Sequence, residues 1–149
     1  MALAEKIRSD LDKAIKQGDT VRRSTLRLVI SGMGYAEIEK QKHLDDADII
    51  DVLSKEAKKR RESIEAFEKG KRPDLVAQEK AELAIISEYL PAQMSPEDIK
   101  ALAEKVIAEM GATGPADKGK VMSKLMPQTK GKAEGKVVSD IVTEALSKL

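Results

Sequence analysis

The residues best suited to bind a ligand lie in a basic, glycine-rich segment near the end of the chain. Between positions 118 and 136 the sequence holds six lysines and a single acid, Glu134. Lysine supplies positive charge to a phosphate, and glycine lets the backbone come close to it. The segment therefore favours contacts with a nucleic-acid backbone, and a solvated helix face is the alternative. The candidate RNA-binding residues are Lys118, Gly119, Lys120, Lys124, Lys130, Gly131, Lys132, Gly135 and Lys136.

The stretch 114–120 also matches the G-x-x-x-x-G-K spacing of a phosphate loop. The chemistry of that loop is missing, because Val121 follows the lysine and offers no hydroxyl for magnesium. Pro115 removes a backbone N–H that would face the phosphates. The pattern before the motif is helical, whereas a phosphate loop follows a strand. We expect no nucleotide site here, but a helix end, a short turn and a helix that begins at Pro115.

The sequence offers no other catalytic or metal-binding arrangement. The only histidine, His43, precedes Asp45, Asp46 and Asp48, but one imidazole beside helix-capping acids makes a poor metal site. Cysteine is absent, which excludes disulfides and thiolate chemistry and fits a cytoplasmic protein. We therefore predict no catalytic residue, no metal and no cofactor, and we do not expect the chain to be an enzyme by itself.

Composition narrows the range of partners. Of the 149 residues, 41% are hydrophobic, 2% are aromatic and 36% are charged, with a net charge of +1. A nearly neutral chain has no global attraction to nucleic acid, so such binding depends on local clustering. The N-terminus lacks the apolar region of a secretory signal, and the longest apolar run, 83–86, is too short to cross a membrane. We expect a soluble, cytoplasmic protein without a membrane partner.

The elements that position the basic segment are all predicted to be helices. Apolar residues recur at intervals of three and four, and no stretch alternates with a period of two. Glycines and prolines mark the helix ends, and Pro127 is expected to end the sixth helix. The predicted fold is all-α. A four-helix N-terminal lobe in 1–90 is followed by a linker in 91–95 and a three-helix bundle in 96–149.

Two features inside the predicted helices require a packing partner. Gly32 and Gly34 fall within the second helix, where glycine lowers helix stability, so we expect a neighbouring helix to pack closely against both. Arg60 falls on the apolar side of the third helix, within the basic cluster 55–61. We expect it to reach solvent along its stem or to pair with a carboxylate. The rest of the cluster is expected to form a salt-bridged helix face.

Several motifs together resemble the YqeY family of small bacterial proteins, and the resemblance covers essentially the whole chain. These motifs are Arg22-x-x-Thr25-Leu26-Arg27-Leu28, the segment 55–67, Glu88-Tyr89-Leu90-Pro91, and the segments 118–122 and 130–138. The family shares its helical module with the tail of the B subunit of tRNA-dependent amidotransferase. That enzyme converts glutamate or aspartate already attached to tRNA into the amide, and its tail contacts the tRNA.

The resemblance implies two all-α lobes and an association with tRNA, or with amidotransferase or synthetase components. It also implies that a carbon–nitrogen ligase activity with glutamine as amido donor, if ascribed to this chain, would be inherited from the description of the larger enzyme. The kinase-like cradle and the glutaminase subunit of that enzyme have no counterpart in this chain. The positions that the resemblance implicates in RNA contact are Gly119, Lys120, Lys130, Gly131, Lys132, Gly135 and Lys136.

Two functions from different classes follow from these observations. The first is a non-catalytic tRNA-binding or tRNA-amidation accessory module. We expect Phe67 and Tyr89 to lie in the core or at the linker, which leaves no aromatic platform for single-stranded RNA. The ligand would then be a folded RNA recognised by shape and backbone. The alternative is a protein–protein interaction module without RNA binding, whose lysines only solvate the surface.

Overall fold

The chain folds into seven α-helices and one short 3₁₀ helix in the computed structural model, which describes residues 2–149. The α-helices are α1 (Leu3–Gln17), α2 (Thr20–Lys40), α3 (Asp46–Lys69), α4 (Pro73–Ser87), α5 (Pro96–Met110), α6 (Lys118–Thr129) and α7 (Gly135–Ser147). No strand occurs within residues 2–149, so the all-α prediction is confirmed. None of the helices in this described part combines the length and the apolar character needed to cross a bilayer.

Capping side chains and glycines set several of the helix ends. The Asp45 carboxylate accepts a hydrogen bond from the Asp48 N–H at 2.9 Å, and Asp48 accepts one from the Asp45 N–H at 3.1 Å. Ser95 and Asp98 form the same reciprocal box at the start of α5. Gly18 follows α1 with a φ of 69°, a left-handed conformation that glycine adopts without steric strain.

The sixth helix differs from its prediction at both ends. Pro115 begins the 3₁₀ helix Pro115–Asp117, and α6 itself begins at Lys118 and continues through Pro127 to Thr129. The prediction that Pro127 ends the helix is wrong because the proline lies in the last turn, where little helix remains to be disrupted. The missing N–H deprives the Ser123 carbonyl of its helical donor, but Ser123 and Pro127 are both exposed, so water can bind that carbonyl.

The helices form two compact units, of which the first ends at Leu90 and the second comprises Pro91–Leu149. In the first unit, α1 to α4 pack around one apolar core. The side chains buried at its centre are Ile7, Leu26, Val29, Met33, Ile49, Leu53, Ala57 and Ile86. Burying these apolar side chains removes apolar surface from water and supplies the main stabilisation of the unit.

The two glycines of α2 have different surroundings. A Cβ placed on Gly32 would lie 3.1 Å from Cγ1 of Val52, so the glycine lets α3 approach α2 closely. None of the described atoms lies within 4 Å of the position that a Cβ on Gly34 would take. The close-packing prediction is therefore confirmed for Gly32 and wrong for Gly34, which lies on the exposed face of α2.

Polar contacts fix the segment after α4 to the first unit. The Tyr89 hydroxyl donates a hydrogen bond to Asp10 Oδ2 at 2.6 Å, and Lys6 Nζ lies 4.8 Å from the centroid of the Tyr89 ring. Arg22 donates two hydrogen bonds to the Glu88 carboxylate, at 2.6 and 3.1 Å. The Tyr89 hydrogen bond holds the pKa of the Asp10 carboxyl below its usual range. The Glu-Tyr-Leu-Pro motif therefore has a structural role.

Arg60 lies buried between α3 and α4, with carboxylates on both helices. Its Nη1 donates a hydrogen bond to Glu56 Oε2, and its Nε lies 3.5 Å from Glu82 Oε2. The prediction that Arg60 pairs with a carboxylate is confirmed. Lys59 Nζ also lies 3.4 Å from Glu56 Oε1. Burial raises the pKa of the nearby Glu79 carboxyl, and the charge of Glu82 acts in the same direction.

In the second unit, α5, α6 and α7 pack around a smaller apolar core. Its buried side chains are Ile99, Ala103, Val106, Ile107, Val121, Leu125, Val138, Val142 and Leu146. Among the described residues of this unit, Thr129 is the only buried polar one, and its hydroxyl donates to the Met126 carbonyl at 3.3 Å. This packing holds α6 beside α7 and so fixes the loop that joins them.

Candidate nucleic-acid interface

Eight of the nine candidate residues lie in two groups at opposite ends of α6, and the ninth, Lys124, lies between them. Lys118, Gly119 and Lys120 form the first turn of the helix, whereas Lys130 and the residues after it lie beyond its last turn. Because α6 contains 12 residues and a helix rises 1.5 Å per residue, the two groups lie about 15–18 Å apart. The segment 118–136 is therefore continuous in sequence but does not form one compact cluster.

An acid accompanies the lysines at the start of α6. Asp117 Oδ2 accepts a hydrogen bond from the Thr113 N–H at 2.9 Å. This backbone hydrogen bond holds the pKa of the Asp117 carboxyl below its usual range, and the charge of Lys120 acts in the same direction. The phosphate-loop spacing thus lies on a turn, a 3₁₀ helix and the first turn of α6, with a carboxylate next to its lysines. This arrangement disfavours anion binding at this end of α6.

Lys124 lies on the exposed side of α6 between the two groups. Its Nζ lies 3.4 Å from Glu109 Oε2 on α5, and both side chains are about half exposed. A surface ion pair of this kind contributes little to stability, but it offsets the charge that Lys124 could offer to a phosphate. Lys124 is therefore a weaker candidate than Lys132 and Lys136.

The loop between α6 and α7 is held in place by hydrogen bonds to its carbonyl oxygens. Gln93 Nε2 donates to the Gly131 carbonyl at 2.8 Å, and the Met94 N–H donates to the Lys132 carbonyl at 2.8 Å. The Lys132 N–H in turn donates to the Thr129 carbonyl at 2.9 Å. Gly131 adopts a φ of 76°, which strongly favours glycine. These bonds fix the direction of the backbone from which the lysine side chains project.

The start of α7 presents backbone N–H groups that the helix does not use. Its first intrahelical bond runs from the Val138 N–H to the Glu134 carbonyl, and the Glu134 side chain does not cap the helix. The N–H groups of Gly135 and Lys136 precede that bond, so they lie at the positive end of the helix dipole. Lys132 and Lys136 are exposed beside them, and neither forms an ion pair with any of the described residues.

We call this group the loop-end surface; its residues are Lys130, Gly131, Lys132, Gly135 and Lys136. It combines positive side chains, backbone N–H groups and a helix N-terminus, which together favour an anion such as a phosphate. The sequence identified all five residues. It did not separate them from the group at the start of α6, because that separation depends on the length and direction of α6.

One exposed aromatic side chain was missed by the sequence reasoning. Tyr89 is buried as expected, and Phe67 is half-buried. Tyr35, however, exposes 75% of its surface on α2. The exposure of Tyr35 could have been predicted from its position seven residues, or two helical turns, after Leu28. Both residues fall on the side of α2 opposite the buried Leu26, Val29 and Met33.

The acidic residues after His43 are occupied by contacts within the fold. The Asp48 carboxylate accepts hydrogen bonds from Lys40 at 2.7 Å and lies 3.0 Å from Lys42 Nζ. The Lys40 bond, followed by that from Lys42, lowers the pKa of Asp48 well below its usual range. Asp45 caps α3. Across residues 2–149, no three His, Asp or Glu side chains converge as a metal site would require.

Comparison with known proteins gives a match along nearly the whole chain. A family model described as Yqey-like protein matches residues 4–146. Altered inheritance of mitochondria protein 41, mitochondrial, of Lachancea thermotolerans is 36% identical over 114 residues, which cover 74% of this chain and 60% of that protein. The protein of the same name from Kluyveromyces lactis is 34% identical over 113 residues, or 74% of this chain and 61% of that protein.

A third relative is the protein of the same name from Saccharomyces cerevisiae. It is 35% identical over 85 residues, which cover 56% of this chain and 46% of that protein. The matched part of this chain thus spans about three-fifths of the first two relatives and about half of the third. The names of these fungal proteins describe them as mitochondrial.

Proposed function

The chain belongs to the YqeY family, and on that premise we propose that it is a non-catalytic RNA-binding module whose ligand is tRNA or another folded RNA. The observation that carries the proposal is the loop-end surface. There, Lys132 and Lys136 are exposed without ion-pair partners among the described residues, beside the uncapped start of α7. An RNA backbone supplies the phosphates that such a surface binds.

The binding mode follows from the groups present. Lysines act as point charges that displace counterions from the RNA backbone, so affinity should fall steeply as salt increases. The N–H groups at the start of α7 add directional hydrogen bonds to a phosphate oxygen. Because the hydrogen bonds of Gln93 and Met94 hold the loop in place, these donors are already positioned before RNA arrives. None of these contacts reads base identity, so recognition would depend on backbone geometry.

A folded RNA suits the second unit better than an extended single strand. Single-strand readers stack bases on exposed aromatic rings. All three aromatic residues of the chain, Tyr35, Phe67 and Tyr89, precede Pro91, so the unit that carries the loop-end surface has no ring to offer. Shape and phosphate positions are then the features left for recognition.

The resemblance to the tail of the amidotransferase B subunit supports tRNA as the specific ligand. We infer an accessory role in tRNA amidation, in which the chain binds tRNA together with amidotransferase or synthetase components. The carbon–nitrogen ligase activity with glutamine as donor would belong to those components and not to this chain. Our proposed site of action is the cytoplasm; the mitochondrial names belong to the fungal relatives.

The proposal can be tested with two double variants that change the charge equally. Lys132→Glu with Lys136→Glu alters the loop-end surface, and Lys100→Glu with Lys105→Glu alters exposed lysines of α5 in the same unit. Binding of tRNA is measured by fluorescence anisotropy across a salt series. We expect the loop-end variant to lose about tenfold or more in affinity, and its salt slope to fall by about 1.5–2 for two lost phosphate contacts.

The control variant should retain the affinity and the salt slope of the unchanged chain. A third variant, Lys118→Glu with Lys120→Glu, tests the other end of α6 and should have the smaller effect, because Asp117 already offsets the charge there. Equal losses in all three variants would indicate a diffuse electrostatic effect and would overturn the assignment of the loop-end surface. Affinity that none of the three changes would overturn the RNA proposal itself.

A further inference from the structure

One face of α2 is less charged than the composition of the chain would suggest. Its exposed residues recur at helical spacing along one side of the helix, and we call them the α2 face: Val21, Ser24, Arg27, Leu28, Ser31, Gly34, Tyr35, Ile38 and Glu39. Tyr35 and Ile38 expose 75% and 76% of their surface, and Leu28 exposes 49%. Arg27 and Glu39 are its only charged members, two of nine, in a chain that is 36% charged. An apolar stripe of this kind marks an interaction surface.

The small residues of the α2 face leave room for a close neighbour. Gly34 lowers the stability of a helix relative to alanine, and none of the described atoms lies within 4 Å of the position of its missing Cβ. Contacts within the described chain therefore give no reason for a glycine there. With Ser24 and Ser31 on the same face, Gly34 allows a second helix to approach more closely than large side chains would permit.

The charges of α2 are distributed unevenly along its length. In the first half, Arg22 already pairs with Glu88, which leaves Arg23 and Arg27 without an ion-pair partner among the described residues. The second half contains Glu37 and Glu39. Lys40 does not neutralise these two glutamates, because its Nζ lies 2.7 Å from Asp48 Oδ1. An antiparallel helix with the same sequence would place its acidic half beside the basic half, whereas a parallel one would place like charges together. The charge pattern thus fits a second copy in the antiparallel direction.

We propose that two copies of this chain associate through their α2 faces in antiparallel orientation. The twofold axis crosses α2 at the height of residues 29 and 30, midway along the face. In this register Tyr35 faces Ser24 of the second copy, Leu28 faces Ser31, and Val21 faces Ile38. Large side chains meet small ones in the first two pairs, and the same patch serves both copies, as a twofold interface requires. The association involves the first unit and does not depend on RNA binding by the loop-end surface.

The mass of the full chain in solution gives the first test. Sedimentation velocity over a wide concentration range should show a monomer that converts to a dimer. Tyr35→Asp with Ile38→Asp should raise the dissociation constant about tenfold or more, because aromatic anchors dominate interfaces. Both residues are exposed in the folded chain, so the melting temperature in dilute solution should change little. The matched control is Ile15→Asp with Leu149→Asp, two exposed apolar residues outside α2 that should leave the dimer intact.

Orientation is tested by crosslinking, which the absence of cysteine in this chain makes specific. The variants Val21→Cys and Ile38→Cys are treated with a short bismaleimide, each alone and as a mixture. In the antiparallel register the two cysteines face each other, whereas like residues lie about 25 Å apart along the axis. We expect crosslinks only in the mixture.

A monomer at every concentration would overturn the proposal. So would a dimer that survives Tyr35→Asp with Ile38→Asp, because another face would then hold it. Crosslinks within each variant alone would indicate a parallel pair and contradict the register. The lysine variants that test RNA binding should not change the sedimentation and crosslinking results. Failure of the dimer proposal can therefore be distinguished from failure of the RNA proposal.

Discussion

The basic cluster of α3 and the loop-end surface use positive charge in different ways. On α3, Arg60 is buried against Glu56 and Glu82, and Lys59 pairs with the same Glu56. At the loop end, Lys132 and Lys136 are exposed, and neither has an ion-pair partner among the described residues. In the α3 cluster, Lys59 and Arg60 pair with carboxylates, whereas Lys55, Lys58 and Arg61 form no ion pair with a described residue, so the predicted salt-bridged face is only partly formed. The loop-end surface differs from the α3 cluster by the backbone N–H groups at the start of α7 beside its lysines.

The cores of the two units show the same contrast. Among the described residues, the first unit buries several polar or charged side chains, namely Thr25, Asp48, Glu56, Arg60 and Glu82. The second unit buries only Thr129 in this class. Because buried charges depend on their partners, the first unit should be the more sensitive to the loss of a single ionic group. The following three predictions examine this difference.

The largest effect is expected from Arg60→Ala. The substitution leaves the buried Glu82 carboxylate without its partner and Glu56 with only the exposed Lys59, which should lower the free energy of unfolding of the first unit by about 3–5 kcal/mol. Urea unfolding followed by tyrosine fluorescence measures this unit alone, because Tyr35 and Tyr89 both precede Pro91.

The control replaces the whole buried group by apolar side chains, Arg60→Met with Glu56→Leu and Glu82→Leu. It should lose much less stability than Arg60→Ala, because no unpaired charge remains buried. An exposed ion pair contributes up to about 1 kcal/mol. If Arg60→Ala lowers the free energy of unfolding by less than this, the buried ionic group does not make the first unit more sensitive than the second.

An intermediate effect is expected from Tyr89→Phe. Removal of the hydroxyl that donates to the charged Asp10 carboxylate should lower the free energy of unfolding by about 1.5–3 kcal/mol at pH 7. The hydrogen bond lowers the pKa of Asp10 in the folded chain. The stabilisation that this bond provides is therefore fully present above the ordinary carboxyl pKa of about 4, and it is lost as the pH falls through the lower pKa of the folded state. Burial and Asp10 raise the pKa of Tyr89, so the stabilisation is also lost at strongly alkaline pH.

The measurement for Tyr89→Phe is chemical unfolding by circular dichroism at several pH values. The difference from the unchanged chain should be largest near neutral pH and should narrow towards pH 2. Tyr35→Phe is the control and should have no such pH dependence, since that ring is exposed. A difference that is constant from pH 2 to pH 7 would show that the Asp10 hydrogen bond does not contribute.

The smallest effect is expected from Gly131→Ala in the second unit. Alanine at the φ of 76° should lower stability by about 1–2 kcal/mol, and a displaced loop should weaken RNA binding as well. Gly119→Ala is the control, because this glycine lies in the first turn of α6, away from the loop-end surface, and a Cβ there would meet no atom beyond the neighbouring backbone. Thermal unfolding and tRNA affinity are measured on both variants. Equal behaviour of the two would mean that the loop conformation does not position the lysines.

The helix boundaries were largely predictable because they depend on neighbours in sequence. Asp45 and Ser95 cap helices through residues three positions later, and Gly18 ends α1 by its own conformation. Pro127 was misjudged because the cost of a proline depends on how much helix follows it and on whether the carbonyl it leaves unpaired is exposed. Gly34 was misjudged because glycine can face solvent or another molecule as well as a neighbour in the same chain.

The candidate site was predictable as a set of residues but not as an arrangement. The sequence does not show that α6 separates Lys120 from Lys132, or that Glu109 on α5 lies beside Lys124. The support of the loop by Gln93 and Met94 is likewise a tertiary contact between residues about 38 positions apart. Spacing along the chain carries no information on such contacts, so it cannot rank the lysines against one another.

The central claim is that RNA contacts the loop-end surface, and lysine-reactivity footprinting tests it most directly. The full chain is acetylated briefly with and without saturating tRNA, and the modification at each lysine is quantified by mass spectrometry. We predict that Lys132 and Lys136 are protected by tRNA, while Lys100 and Lys105 on α5 keep their reactivity. Unchanged reactivity at Lys132 and Lys136 in the presence of bound tRNA would contradict the claim.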